Sequence, residues 1–117
     1  MNETNGRCPV EITLSLMSNK WKALILRDLL TGTKRFSELK RSLHPITQKM
    51  LTQNLREMEA NGLISRTVYP VVPPHVEYAF TDLGYMLHPV IEQMREFGLK
   101  YASIRENKTE NKESDAV

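Results

Sequence analysis

The sequence predicts a mainly α-helical domain carrying one small β-hairpin, and three observations support that prediction. Apolar residues recur at helical spacing in five stretches. Between the fourth and fifth, the pattern switches to strand-like alternation around a proline-rich loop. The third and fourth are separated by only a short turn, as in two helices packed at a steep angle. With 117 residues, 40% apolar and 26% charged, the chain has the size and composition of one globular domain.

Cys8 and Pro9 open the first helix, since proline suits a first turn whose N–H groups lack partners anyway. Val10, Leu14 and Met17 follow at i, i+4 and i+7. Ser18 and Asn19 offer an N-cap for a second helix with Trp21, Leu24, Ile25 and Leu29 as its stripe. Thr31 and Gly32 supply its stop. A short extended segment around Lys34 and Arg35 leads to Ser37, the expected cap of a third helix lined by Leu39 and Leu43. That helix ends before Pro45, because the residue ahead of a proline is pushed out of the α region. Thr47 caps the fourth helix, which turns Met50, Leu51, Leu55 and Met58 inward and closes at Asn61 and Gly62.

Residues 63–69 are rich in β-branched side chains, and Val76, Tyr78 and Phe80 alternate on one face of a second strand. Pro70, Pro73 and Pro74 lie between them. Proline has no N–H for a ladder, so pairing is confined to the base and the tip projects as an arm. Thr81 and Asp82 cap a final helical pattern through Leu83, Leu87, Val90, Ile91, Met94 and Tyr101, broken or kinked near His88 by Pro89. A second stripe on that pattern, Met86, Val90, Phe97 and Ile104, exceeds what one small core needs. Two apolar faces predict a second copy of the chain and a two-fold homodimer. The expected layout is a flexible terminus at 1–7, one domain over 8–105 and a disordered, apolar-poor tail at 106–117.

The net charge of +2 conceals an asymmetry: residues 1–66 carry 11 Lys and Arg against 6 Asp and Glu, and residues 67–117 carry 5 against 8. A basic amino-terminal half suits a polyanion. One Cys excludes an intrachain disulfide, and no apolar run suggests a membrane span or a secretory leader. A reducing cytoplasm is the expected compartment. Three His and one Cys stand at no ligand or catalytic spacing, and no Gly-rich phosphate loop is present, so neither enzyme activity nor a metal or other cofactor is expected.

The element order is that of a winged helix-turn-helix with additional first and last helices. A B-DNA major groove, roughly 12 Å wide, admits one α-helix whose early residues reach base edges. Those residues are Thr47, Gln48, Lys49, Thr52 and Gln53. Gln suits adenine, Lys guanine, and Thr a thymine methyl or a phosphate. Arg56 is better placed for phosphate. Arg66 and His75 flank the wing loop, within reach of backbone or minor groove. The competing reading is a winged helix used for protein binding, which would lack the steep salt dependence of a DNA reader.

These motifs resemble those of HxlR-type regulators, a MarR-like winged-helix group of bacterial transcription factors. The residues that carry the resemblance are NKW at 19–21, KRFSEL at 34–39, ITQKMLTQ at 46–53, LREME at 55–59, Gly62 with Leu63, and YPVVPPHVEY at 69–78. It implies a homodimer joined through the first and last helices on a near-palindromic operator, with repression as the default. It gives base reading to residues 47–56 and the wing role to residues 66–75, including Tyr69, with Lys34 and Arg35 completing the DNA-contact set. The dimer set is Val10, Leu14, Leu87, Val90, Ile91, Met94 and Tyr101. Phe97 with Gly98 departs from the expected Trp-Gly pair.

Some members of that family sense electrophiles or oxidants through a Cys just before the first helix, where Cys8 stands. A helix amino terminus and the adjacent Arg7 are the electropositive surroundings that thiol chemistry favours. With no second Cys, the available outcomes are intermolecular bridging, alkylation or a low-molecular-weight thiol cap. Apolar space near the dimer helices is the expected place for a small-molecule effector, which no motif names.

Overall fold

Three of the helix starts are set by side-chain caps. The Asn19 side chain accepts from the Lys22 N–H, the Thr47 hydroxyl from Met50 and the Thr81 hydroxyl from Gly84. The computed structural model describes residues 4–115, with side chains through Asn107. The elements are α1 (Pro9–Leu16), α2 (Lys20–Leu29), β1 (Lys34–Arg35), α3 (Phe36–Ser42), α4 (Gln48–Ala60), β2 (Ile64–Tyr69), β3 (His75–Phe80), α5 (Asp82–Tyr85) and α6 (His88–Asp115). The fold is the expected helix-turn-helix with a β-hairpin, to which β1 adds a third antiparallel strand.

The sheet order is β1-β3-β2, so β3 is central and the hairpin gains β1 as a second neighbour. Lys34 stands opposite Tyr78, and the β2–β3 register runs from Ile64 opposite Phe80 to Tyr69 opposite His75. Residues 70–74 form the loop beyond that last pair. Gly62, at φ +79°, ends α4 in the left-handed conformation that a side chain would resist.

The α3–α4 pair, α2 and the base of the sheet share one core. Its fully buried members are Ile25, Leu26, Leu39, Leu51, Leu55, Met58, Leu63 and Ile64. Each contributes roughly 1.5–3 kcal/mol by leaving water. The core face of α2 is rotated from the expected stripe: Lys22, Ile25, Leu26 and Leu29 are buried, whereas Trp21 and Leu24 are only half-buried. On α4, Asn54 takes the inward place expected for Met50, which is exposed. The cap of α3 also differs. The helix starts at Phe36, and Glu38 reaches back to accept the Arg35 N–H at 2.8 Å, leaving Ser37 inside the first turn.

The chain divides into two compact units between Met86 and Leu87, inside the span the sequence reads as one domain. The division falls where α5 ends and α6 begins, with Pro89 in the first turn of α6. Helical backbone continues to Asp115, so the described part of the 106–117 tail is helical where disorder is expected. Once a helix is nucleated, each further residue adds a hydrogen bond at small entropic cost, and the Glu and Lys of this stretch are good helix formers. Of the expected flexible terminus, residues 1–3 lie outside the described residues. Thr4–Arg7 is a turn closed by the Arg7 N–H on the Thr4 carbonyl at 3.0 Å. No helix among the described residues is long and apolar enough to cross a membrane.

Candidate nucleic-acid interface

The outer side of α4 presents Gln48, Lys49, Gln53 and Arg56 to solvent, with Thr52 half-buried beside them. Thr47 is exposed too, but its hydroxyl oxygen is used for capping at 3.1 Å from the Met50 N–H. The helix faces two adjoining hollows. One, of about 450 Å³, is lined by Gln48, Thr52 and Arg56 together with Arg66 of β2 and Tyr78 of β3. The other, of about 630 Å³, is lined by Gln48, Lys49, Thr52, Gln53, Arg56 and Glu57. Five of the candidate residues on α4 and one on the wing therefore share a continuous surface, which Phe36, Leu55 and the acids Glu57 and Glu59 also line.

The remaining candidates are placed differently. Lys34 is half-buried and lines a separate groove between α2 and α3 with Arg27, Asp28, Thr31, Glu38, Arg41 and Ser42. Arg35 is exposed at the start of α3, opposite Glu77 in the sheet register. At the base of the wing loop, the Tyr69 and His75 rings stack at 4.8 Å. His75 Nε2 lies 3.1 Å from Glu77 Oε2. His75 is thus held by a carboxylate and a ring, and the pair acts as a clasp closing the loop.

A polar tie that sequence reasoning missed holds α4 in place. Asn19 Nδ2 donates to Asn54 Oδ1 at 3.0 Å, and Asn54 Nδ2 donates to the Met50 carbonyl at 2.8 Å. Lys22, only 6% exposed, donates to Ser18 Oγ at 3.2 Å and pairs with Glu57 Oε2 at 2.8 Å. The Lys22 ammonium, hydrogen-bonded to Glu57 and charged beside it, holds that carboxyl below its ordinary range. A Gln53 hydrogen bond adds a smaller push in the same direction. The amino terminus of α2 is thereby bonded to the same helix that presents the candidate readers, and Glu57 itself lines their hollow.

Cys8 is exposed at the N-cap of α1, with no side-chain capping hydrogen bond. Val10 and Leu14 of α1 are exposed, as are Met94 and Tyr101 of α6, while Val90 is half-buried. Leu87 and Ile91, also expected at the dimer contact, are 8% and 7% exposed in the single chain. Phe97 and Ile104 are exposed on α6, and Phe97 joins Pro89, Val90, Gln93 and Met94 along an open apolar groove. Among the described residues, no group of three or more His, Cys, Asp or Glu side chains is placed to hold a metal ion.

A helix-turn-helix with an exposed polar reading helix, flanked by a β-hairpin wing, defines a winged-helix DNA-binding protein. The chain belongs to the HxlR-like helix-turn-helix family, whose pattern matches residues 16–106. It is 44% identical over 110 residues to an HTH-type transcriptional regulator of Methanothermobacter thermautotrophicus, covering 94% of this chain and 84% of that one. It is 50% identical over 94 residues to the HTH-type transcriptional regulator YdeP of Bacillus subtilis, covering 80% and 73%. Among solved structures it is similar to the redox regulator HypR. The reduced form matches with TM-score 0.80 at 44% identity over 86% of this chain and 99% of that one. The oxidised form matches with TM-score 0.75 at 47% identity, over 80% and 96%.

Proposed function

We propose that two copies of this chain form a two-fold dimer in the cytoplasm that binds a near-palindromic operator and represses transcription. The observation that carries the reading is the meeting of Gln48, Thr52 and Arg56 of α4 with Arg66 of the wing in one cleft. A helix docked in a major groove sets Gln48, Lys49, Thr52 and Gln53 against base edges, and Arg56 and Arg66 against the flanking phosphates. Exposed Val10 and Leu14 on α1, and Met94, Phe97, Tyr101 and Ile104 on α6, supply apolar surface for the partner copy.

The test begins with a duplex selected by the purified protein from a random-sequence library at low salt. Affinity is expected to fall steeply as salt rises, by about 0.9 log units per log unit of salt for each phosphate contact. Lys49→Ala is expected to cost about 1–3 kcal/mol of binding to that duplex without loss of fold. Failure to select any duplex would favour a protein-binding module instead.

Cys8 is proposed as the thiol through which oxidants or electrophiles release the DNA, a reading supported by its exposure and by the likeness to a regulator known in oxidised and reduced forms. Diamide or a quinone is expected to weaken duplex binding by the wild type and to leave Cys8→Ser unchanged. An equal loss in both proteins removes Cys8 from that role.

A further inference from the structure

An acid stands among the candidate readers. Glu57 lines the same hollow as Gln48, Lys49, Thr52, Gln53 and Arg56. A bare carboxylate there would repel the phosphates of a duplex. This one is not bare: its Oε2 lies 2.8 Å from Lys22 Nζ, and Lys22 is only 6% exposed. The same ammonium donates to Ser18 Oγ at 3.2 Å. It is held away from solvent, and its charge is committed to Glu57 rather than to a phosphate. Replacing such a pair by apolar side chains is often neutral or stabilising, so stability alone does not account for it.

Glu57 also meets Gln53. The two are i and i+4 on α4, and helical side chains lean toward the amino terminus, which carries the Glu57 carboxylate over the turn that bears Gln53. A hydrogen bond joins them. An ionised carboxylate only accepts, so the Gln53 amide donates through Nε2. That bond turns Nε2 toward Glu57 and leaves Oε1 and the other N–H for a ligand, whereas a glutamine without such a partner presents either end. Gln53 is exposed, so both groups are open to an incoming duplex. An acceptor beside a donor is the complement of adenine, whose N6 amine adjoins N7 in the major groove. Guanine shows two acceptors there, thymine an acceptor and a methyl, and cytosine a single amine, so each leaves part of the amide unmatched.

We propose that Lys22 and Glu57 are positioning residues that orient the Gln53 amide to read adenine in the major groove. This rests on the DNA-binding reading above and adds to it one base and the two side chains that set its reader. The experiment uses the full chain and a random-sequence duplex library, comparing the selected motif and the salt series among wild type, Gln53→Ala and Lys22→Met with Glu57→Ala. The double variant removes one charge of each sign, so its salt slope is expected to match the wild type, and its melting curve checks the fold. The wild type is expected to prefer adenine at one motif position by about tenfold, and Gln53→Ala to lose that preference alone. In the double variant the preference at that same position is expected to fall to about threefold or less, with the other positions unchanged. Lys22→Met with Glu57→Gln, which keeps an acceptor of the same reach, is expected to hold the adenine preference nearer the wild type. A wild type that selects no duplex removes the DNA-binding reading itself. With a duplex selected, full adenine preference in the first double variant overturns the inference. Equal loss in both double variants overturns it too, as does loss spread evenly over the motif or a Gln53-dependent position that is not adenine.

Discussion

Gly84→Ala is expected to destabilise the protein by about 3 kcal/mol or more, measured by urea or thermal unfolding, although alanine is the better helix former. Propensity alone would favour the substitution by about 1 kcal/mol. The steric term has the opposite sign and is larger. A Cβ on Gly84 would overlap the carbonyl oxygen of Leu63 and stand 2.8 Å from its carbon and 3.0 Å from Phe80 Cδ1. That carbonyl has little room to yield, because it accepts the Thr81 N–H at 3.1 Å. The Thr81 hydroxyl in turn donates to the Gly62 carbonyl at 2.6 Å and accepts the Gly84 N–H at 3.0 Å. Relieving the clash means displacing buried Leu63 and the turn that ends α4. A loss below about 1 kcal/mol would show that the crossing relaxes without displacing core packing.

The second large effect is an ordering. Glu57→Ala is expected to lower the melting temperature more than Lys22→Met, although Glu57 is the half-exposed partner. Removing the carboxylate leaves a largely buried ammonium with Ser18 Oγ as its acceptor among the described residues, whereas methionine fills the site without a charge. In the Lys22→Met background, Glu57→Ala should become nearly neutral, and a cycle that is additive instead would deny the coupling. The pH dependence follows from the lowered Glu57 pKa. A carboxylate stabilised in the fold contributes fully above its unfolded value, ordinarily 4.5, and that contribution fades as pH falls through the lower folded value. The difference in stability between wild type and the double variant should therefore shrink on acidification below 4.5 and stay flat toward neutrality.

Most of the architecture was legible because its signals are local. Asn19, Thr47 and Thr81 are short polar residues directly ahead of apolar periodicity, and each is found capping. The wing was readable from alternation and prolines. The orientation of α2 was not, because Trp21 and Leu24 compete with Lys22 and Leu26 for the inward face, and periodicity weighs hydrophobicity rather than pairing. The signal that was available is joint. Lys22 interrupts the buried stripe of α2 and Asn54 that of α4, and polar interruptions on two neighbouring helices mark side chains that need partners. Among the candidate contacts, residues 48–56 and Arg66 share one surface because helix and strand periods place them there. Lys34 stands opposite Tyr78 in the sheet, but its side chain lines the groove formed with α2 and α3 instead. Composition measures the capacity to form a core, whereas the helical backbone of residues 106–115 continues a helix already under way.

The pairing of β1 with β3 bears on the order of assembly. Lys34 and Arg35 meet Tyr78 and Glu77, so this short antiparallel pairing closes the entire stretch from α3 through β2 into a single loop. The central strand takes β1 on one edge and β2 on the other, so its two pairings join the segment before α3 to the wing. Wing and reading helix are thereby enclosed in one loop of chain whose closing contact is non-local, a pairing that costs more loop-closure entropy than the hairpin itself. In a regulator built this way, the strand ahead of the helix-turn-helix and the central strand of the wing are one sheet, so a displacement of either is passed to the other.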